Sequence, residues 1–574
     1  MIMRKIGLVC LIVAGFFSVV FSSCSKDDPE PEAKLVVSTE ALTFSADGET
    51  KPFHVQSNTA FQVSSAESWC TLSPTSGADG TIKIEATVPK NPTAANRTSV
   101  ITVTAGSLTK QLTVTQSGSI ILNLSDDEFE VPVGGQQITI QIESSGTYSI
   151  DIEGAWIDEA SGSTNTTQKF DIDPNLAYLG RTGTITFTLN GVSKTVSVVQ
   201  AGNPLNIADD NTGMSSNAMT LAAAIKVGWN LGNTLEAMSV NNGVYSANET
   251  MWGNAMTTKT LIDGIKAAGF DAVRLPCAWT GYLENTTNYR IKDSWLKRVS
   301  EVLDYCIAND MHVIINIHWD GGWLEEHPLY ANQVDVNKKQ KALWEQIAVY
   351  FRNYDEHLLF AGTNEVHANY GNPTTENITV QQSFNQTFVD AVRSTGGKNK
   401  YRNLIVQAYN TNITHANNYM TMPTDAAGVT NRLMAEVHFY DPYDFTLDNS
   451  ATSKYLWGAD FAGNPNCSTW GQEAWVDEAF GIVKTKFIDN SIPVILGEYG
   501  LMYRSSLPEP ALTSHKQARV NYLHYVNQAA KAKGLKTFYW DSGFTGNGGS
   551  GLFNRATGAQ VYADAIDAIV SAYD

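Results

Sequence analysis

The chain reads as an α/β protein: a (β/α)8 TIM barrel preceded by two immunoglobulin-like β-sandwich modules. Three observations predict this. Residues 35–202 are rich in Ser, Thr, Val and Gly, with apolar residues at every second position and turn residues at short intervals, the pattern of antiparallel sandwiches. The same segment repeats itself internally. From 203 onward the texture changes to short apolar runs alternating with helical patterns, as a parallel barrel requires.

The repeat sets the module boundaries. Arg97-Thr98-Ser99-Val100-Ile101-Thr102-Val103-Thr104 recurs as Arg181-Thr182-Gly183-Thr184-Ile185-Thr186-Phe187-Thr188. Val114-Thr115-Gln116-Ser117-Gly118 recurs as Val198-Val199-Gln200-Ala201-Gly202. The modules therefore span 35–118 and 119–202. Trp69 and Trp156 hold similar places and are expected in the cores, because a sandwich commonly buries a Trp. In 203–574 the expected strands are Val227–Asn230, Ala272–Pro276, His312–His318, Leu358–Glu365, Asn403–Asn410, Leu433–Tyr440, Pro493–Glu498 and Lys536–Asp541. Helical patterns lie between them at Thr260–Ala268, Trp295–Ala308, Gln340–Phe351, Phe384–Val392, Val476–Ile488 and Ala518–Lys533, and Ala563–Ala572 follows the last strand. A doubly wound sheet is the alternative, but Gly228-Trp229-Asn230-Leu231-Gly232 has the wrong spacing for its phosphate loop.

Bulk properties narrow the class of partner. The 574 residues carry a formal charge of −19 with no basic cluster, which disfavours nucleic acid and anionic membrane faces. Arg4 and Lys5 precede an apolar run, Leu8–Phe21, that is short for a membrane span and reads as a signal peptide over 1–23. Phe21-Ser22-Ser23-Cys24 resembles a bacterial lipoprotein site, with Cys24 as the lipidated residue, and Ser25-Lys26-Asp27-Asp28 resembles the export tag of Bacteroidetes surface lipoproteins. Residues 24–34 are then a polar tether, and the expected location is the extracellular face of the outer membrane. Cys70, Cys277, Cys306 and Cys467 are widely spaced and read as buried thiols; a Cys277–Cys306 bridge has nothing to support it.

The chemistry concentrates at strand ends, where a barrel places its active site. Arg274, His318, Asn364-Glu365, His438-Phe439-Tyr440, Glu498 and Trp540-Asp541 all fall there. A carboxylate closing a buried strand is costly, and two of them, Glu365 and Glu498, read as the paired carboxylates of a glycosidase. One such group could be a satisfied core residue; functional types at nearly every strand end argue for one shared cleft. No HExxH or other ligand spacing surrounds His318 or His438, so neither a metal nor a cofactor is expected.

These motifs, with Gly228 to Glu236, Asn316-Ile317-His318-Trp319 and Gly497-Glu498-Tyr499-Gly500, resemble glycoside hydrolase family 5 over about 205–574. The tail Phe538-Tyr539-Trp540-Asp541-Ser542-Gly543 with Gly551-Leu552-Phe553-Asn554-Arg555 is most similar to subfamily 4, mainly endo-β-1,4-glucanases and xyloglucanases. The two repeats resemble BACON modules of Bacteroidetes surface proteins. The resemblance implies a retaining endo-β-1,4-glucanase, with Glu365 as acid/base and Glu498 as nucleophile. It makes Arg274 and Tyr440 donors to Glu498, Asn364 the grip on the sugar 2-hydroxyl, His318 and His438 tuning residues, and Trp540 the floor under the reacting ring. Asn233, Trp319 and Trp252 are further expected sugar contacts. Trp279, Trp323 and Tyr503 suit stacking or core packing equally. The family often places Pro after the strand-4 Glu; here Val366-His367 stands instead. Two other readings remain, a β-mannanase and a non-catalytic glycan-binding lipoprotein, though a binding protein need not keep a nucleophile with its supports. The partner expected is a β-glucan polysaccharide, acted on by a monomer.

Overall fold

The computed structural model describes residues 32–574. The signal segment, Cys24 and nearly all of the tether lie outside the described residues. Two compact units divide the described chain. One comprises residues through 125 with 142–150 and 187–194; the other comprises 126–141, 151–186 and 195–574.

In the first unit, a four-stranded sheet and a five-stranded sheet enclose a core of Phe44, Phe53, Val55, Ile84, Ile101, Val103 and Val114. Strict alternation builds it: Arg97–Ala105 buries every second residue from Ser99 onward. Trp69 departs from expectation. It is half-buried at the margin of this core, under the Arg97 guanidinium at 4.3 Å. The second repeat folds as two four-stranded sheets. Here Trp156 is buried as expected, with Arg181 above its ring at 4.3 Å.

The barrel is closed and all parallel, which excludes the doubly wound alternative. Its strands are β1 (Val227–Leu231), β2 (Ala272–Leu275), β3 (His312–Asn316), β4 (Leu358–Ala361), β5 (Leu404–Gln407), β6 (Leu433–Phe439), β7 (Val494–Tyr499) and β8 (Lys536–Asp541). Pairing of β1 with β8, Val227 opposite Thr537 through Leu231 opposite Asp541, closes the ring. Period-2 alternation sorts the strand residues. Ala272, Ile314, Leu359, Ala361, Ile405, Met434, Ile495 and Phe538 fill the interior, together with the helix Ala218–Ala224. Gly228 makes room there, since a Cβ on it would meet the Phe538 ring at 2.1 Å. Two residues farther along, the inward positions turn polar: Arg274, Asn316, Gln407 and Glu436, then His438 on the longer β6. The barrel thus has an apolar lower layer and a charged upper one.

Helices follow as expected, but two start much earlier. The third runs Tyr330–Tyr350 and the fourth Thr375–Arg393, the latter opened by a Thr374/Asn377 capping box. Their N-terminal halves are rich in polar residues, some of them buried, such as Asn377 and Gln381, so apolar periodicity marked only the C-terminal halves. The helix Ile413–Tyr419 after β5 was not foreseen, because seven largely polar residues carry no periodic signal. The four cysteines of the described residues are free and buried, and Cys277 and Cys306 are not bridged.

Candidate active site

Glu498 belongs to β7, but Glu365 does not close β4. That strand ends at Ala361, and Gly362-Thr363-Asn364 carry the chain over the rim before Glu365. The turn is held from β5: Gln407 Oε1 accepts from Thr363 N at 2.9 Å and from Thr363 Oγ1 at 3.0 Å. Asn364 is fixed at both ends of its amide. Its Oδ1 accepts from Arg274 Nη2 at 2.9 Å, and its Nδ2 donates to Glu325 Oε2 at 3.0 Å. The same Glu325 oxygen accepts the Glu365 backbone N–H at 3.0 Å.

The carboxylates face each other. One oxygen of each, with a ring nitrogen of His438, lies within 4.8 Å of the others. Glu498 is gripped on both oxygens: Arg274 Nη1 donates to Oε1 at 2.9 Å and the Tyr440 hydroxyl to Oε2 at 2.9 Å. Glu365 takes a 2.7 Å contact from His438 Nδ1 and a 3.5 Å one from the Thr411 hydroxyl. Its side chain is 28% exposed against 8% for Glu498. Glu365 is thus the carboxylate that leaving group and water can reach, and Glu498 the one held rigid.

Burial and neighbouring charge together set the proton affinities of the site. Burial raises both carboxylates; His438 and Arg274 outweigh it at Glu365 and leave that group below its ordinary range. At Glu498 burial, joined by the charge of Glu365, prevails over His438 and Arg274 and leaves it raised. The two titrate as one coupled pair. Burial opposes charge on His438, but Glu498, Glu365 and Glu436 overcome it and push the ring up to about 10. His318 goes the other way: burial, then Arg274 and His438, hold it well below its ordinary value, so it is neutral. Burial and Glu365 push Glu325 up to about 8. The spacing of Glu365, His438 and Glu498 would suit a cation, but both ring nitrogens of His438 already face carboxylates, at 2.7 and 3.3 Å, and a protonated ring has no lone pair for a metal.

A cleft of about 790 Å³ holds the pair; Trp540 lines it, as do Tyr370, Asn410, Tyr443 and Trp475. Trp540 stacks on His318 with ring centroids 5.6 Å apart and planes 10° apart. Asn233, Trp319 and Trp252 do not line this cleft. Trp319 donates to Glu326 at 2.9 Å, Trp252 is 42% exposed with its N–H on the Met238 carbonyl, and Asn233 adopts φ +57 beside Glu236. Trp279, Trp323 and Tyr503 are buried in the core. Sequence reasoning missed Glu325, Gln407 and Glu436. The signal for Glu436 was present, as an acidic residue two positions before His438 on one strand face. Arg555, part of the recognised tail, is structural: it donates to the Gly232 and Asp541 carbonyls at 3.0 and 2.6 Å.

Paired carboxylates on the C-terminal rim of a (β/α)8 barrel, one clamped and one reachable, define a glycoside hydrolase. The family model for cellulase (glycosyl hydrolase family 5) matches residues 235–546, and the chain belongs to that family. A model for a putative binding domain, BACON, matches 59–117 and 139–201. The chain is 41% identical over 470 residues to a xyloglucan-specific endo-β-1,4-glucanase of Bacteroides ovatus, covering 79% of this chain and 92% of that one. It is 38% identical over 371 residues to endoglucanase A of Paenibacillus barcinonensis, covering 62% and 90%. Among solved structures, a Bacteroides ovatus family 5 xyloglucanase in complex with a XXXG heptasaccharide aligns with TM-score 0.62 and 36% identity over 94% of this chain and all of that one. A broad-specificity subfamily 4 endoglucanase from Bacteroides salanitronis aligns with TM-score 0.56 and 37% identity over 62% of this chain and 95% of its own.

Proposed function

We propose that this enzyme is a retaining endo-β-1,4-glucanase of plant β-glucans, with xyloglucan as its preferred substrate. The carrying observation is the approach of Glu365 and Glu498 to within 4.8 Å. Retaining enzymes hold their carboxyl groups about 5–5.5 Å apart, whereas inverting ones need about 6.5–9.5 Å for a water. Glu498 attacks the anomeric carbon and Glu365 protonates the leaving oxygen. Glu365 then takes a proton from the water that breaks the glycosyl-enzyme bond. The acid role needs the shared proton on Glu365, the reverse of what His438 and Arg274 favour there. A glycosidic oxygen accepting from Glu365 supplies that bias, since hydrogen bonding to the neutral form raises a carboxyl group. Arg274 and Tyr440 keep Glu498 in line, and Asn364, locked at both ends, presents its remaining N–H to the sugar 2-hydroxyl.

Support for xyloglucan comes from the Bacteroides ovatus relative and the Bacteroides ovatus structure with its XXXG heptasaccharide. Initial rates on xyloglucan, mixed-linkage glucan, carboxymethylcellulose and glucomannan test it. Xyloglucan is expected fastest and the first product the β-anomer by proton NMR; glucomannan fastest would favour the mannanase reading, and an initial α-anomer would overturn the mechanism. We further propose that Cys24 carries a lipid anchor at the outer surface, that the repeats act as a spacer, and that the enzyme is a monomer. A Cys24→Ser protein should leave the membrane fraction, residues 35–202 alone should not be retarded on xyloglucan affinity gels, and sedimentation should give one chain.

A further inference from the structure

Glu436 lies on β6 two residues before His438, so both side chains enter the barrel. It is fully buried. Its Oε1 is 3.1 Å from Arg274 Nε and 3.3 Å from His438 Nε2, and its Oε2 accepts from Gln407 Nε2 at 2.6 Å. Gln407 is the residue that holds Thr363, one position before Asn364. On the neighbouring strand β7, a Cβ on Gly497 would meet Glu436 Oε1 at 1.9 Å. Glycine beside the nucleophile is thus what leaves space for this carboxylate. A buried carboxylate is costly, and an apolar residue could fill a barrel layer more cheaply. Every group Glu436 holds bears on the catalytic pair.

The charges around it balance. Arg274 on β2 and His438 on β6 are cationic. His318, after β3, is neutral, and Glu325 in the next loop is raised to about 8, hence protonated at neutral pH. Tyr440 is raised well above its ordinary value and stays neutral. Strands β1, β5 and β8 present the uncharged Asn230, Gln407 and Trp540. Glu436 supplies one negative charge. The sum is zero when Glu365 and Glu498 share one proton, the state with one acid and one nucleophile.

We propose that Glu436 is a positioning residue for the reaction: it braces the His438 ring from behind and, as a fixed counter-charge, keeps His438 an imidazolium against Glu365 while sharing Arg274 with Glu498. This rests on the glycosidase reading of the pair. Without that charge the cluster carries an excess positive charge in a buried site, and His438 relieves it by losing its proton.

The test is the titration of His438 in 15N-histidine-labelled full-length protein, with the signal assigned from a His438→Gln variant. The unmodified protein should keep the imidazolium through pH 8 and lose it near about 10. Glu436→Gln, of equal size, should lose it at clearly lower pH, by about one unit or more, with Glu498 and Glu365 still holding part of the shift. Its kcat on soluble β-glucan should fall about tenfold or more with KM changed less than about twofold, the pattern of an interaction made in the transition state. Glu436→Asp should restore the imidazolium and most of kcat. A role in packing alone would lower the melting temperature and leave the His438 titration unmoved. A His438 transition in Glu436→Gln within about half a pH unit of the unmodified one, or a kcat within about twofold of the unmodified enzyme, overturns the proposal. If Glu436→Gln does not fold, the unmodified protein decides: a His438 that titrates near 6.5 there overturns it too. An unmodified protein inactive on every β-glucan would instead overturn the glycosidase reading and leave the His438 result standing.

Discussion

Buried polar clusters occur in two regions of this molecule, and they are finished differently. In the sandwiches, each Gln of the closing motif is bonded at both ends of its amide. Gln116 donates to the Ser45 and Pro89 carbonyls at 3.0 and 2.8 Å and accepts from Arg97 at 2.8 Å. Gln200 repeats this on Pro132 and Asp173 at 2.9 and 3.1 Å, with Arg181 at 2.7 Å. Asn91 and Asn175 likewise tie two carbonyls each, all at 2.8–3.0 Å. At the barrel mouth the opposite holds. Glu365 and Glu498 are supported on one side and open to a cleft on the other. The sandwich amides are held by protein on both sides, whereas the two carboxylates keep lone pairs that face the cleft. The second repeat adds a use for its Arg: Arg181 Nη1 donates to Asp293 of the barrel at 3.1 Å, and Arg290 Nη1 to the Gly180 carbonyl.

Glu498→Gln breaks the comparison hardest. The fold should persist while turnover of polysaccharide falls about 10³-fold or more, because shape is kept and the nucleophile's charge is lost. Retained turnover with an unchanged melting temperature would mean the open valences are not the reactive ones. Glu365→Gln should cost about 10²-fold or more on polysaccharide but much less on dinitrophenyl cellobioside, whose leaving group needs little protonation. Equal losses on both substrates would remove the acid role.

Gln200→Ala should do the reverse. It removes the bonds to the Pro132 and Asp173 carbonyls and leaves Arg181 Nε without its acceptor, and should destabilise the second sandwich by about 1–2 kcal/mol, with kcat unchanged. Calorimetry paired with initial rates checks both halves, and a fall in kcat at intact fold would show that sandwich and site are coupled. The smallest effect is expected from removing the repeats. A fragment of residues 203–574 retains Asn203, which accepts from Arg352 Nη2 at 3.1 Å, and should keep turnover on soluble glucan within about tenfold, ~1.4 kcal/mol. A larger loss would give the sandwiches a part in the cleft.

The sequence alone determined the architecture and most of the candidate site. The repeats declared themselves through matching eight-residue strands, the barrel through alternating runs, and Glu365, Glu498, Arg274, Asn364, His438 and Tyr440 through local motifs, since strand chemistry and rim position are properties of a few consecutive residues. Burial direction was partly legible: Trp156 is core, but Trp69, at the same place in the repeat, sits at the margin. Only the tertiary structure decided who touches whom. Glu325, Gln407 and Glu436 come from three different βα units: Glu325 reaches Asn364 and Glu365, and Gln407 bonds Glu436 between the neighbouring strands β5 and β6, encounters that no spacing along the chain records. It also separated two histidines alike in sequence, leaving His318 neutral and His438 charged. The reason is physical: proton affinity in a buried site follows the sum of nearby charges, and that sum exists only once the ring of strands has closed.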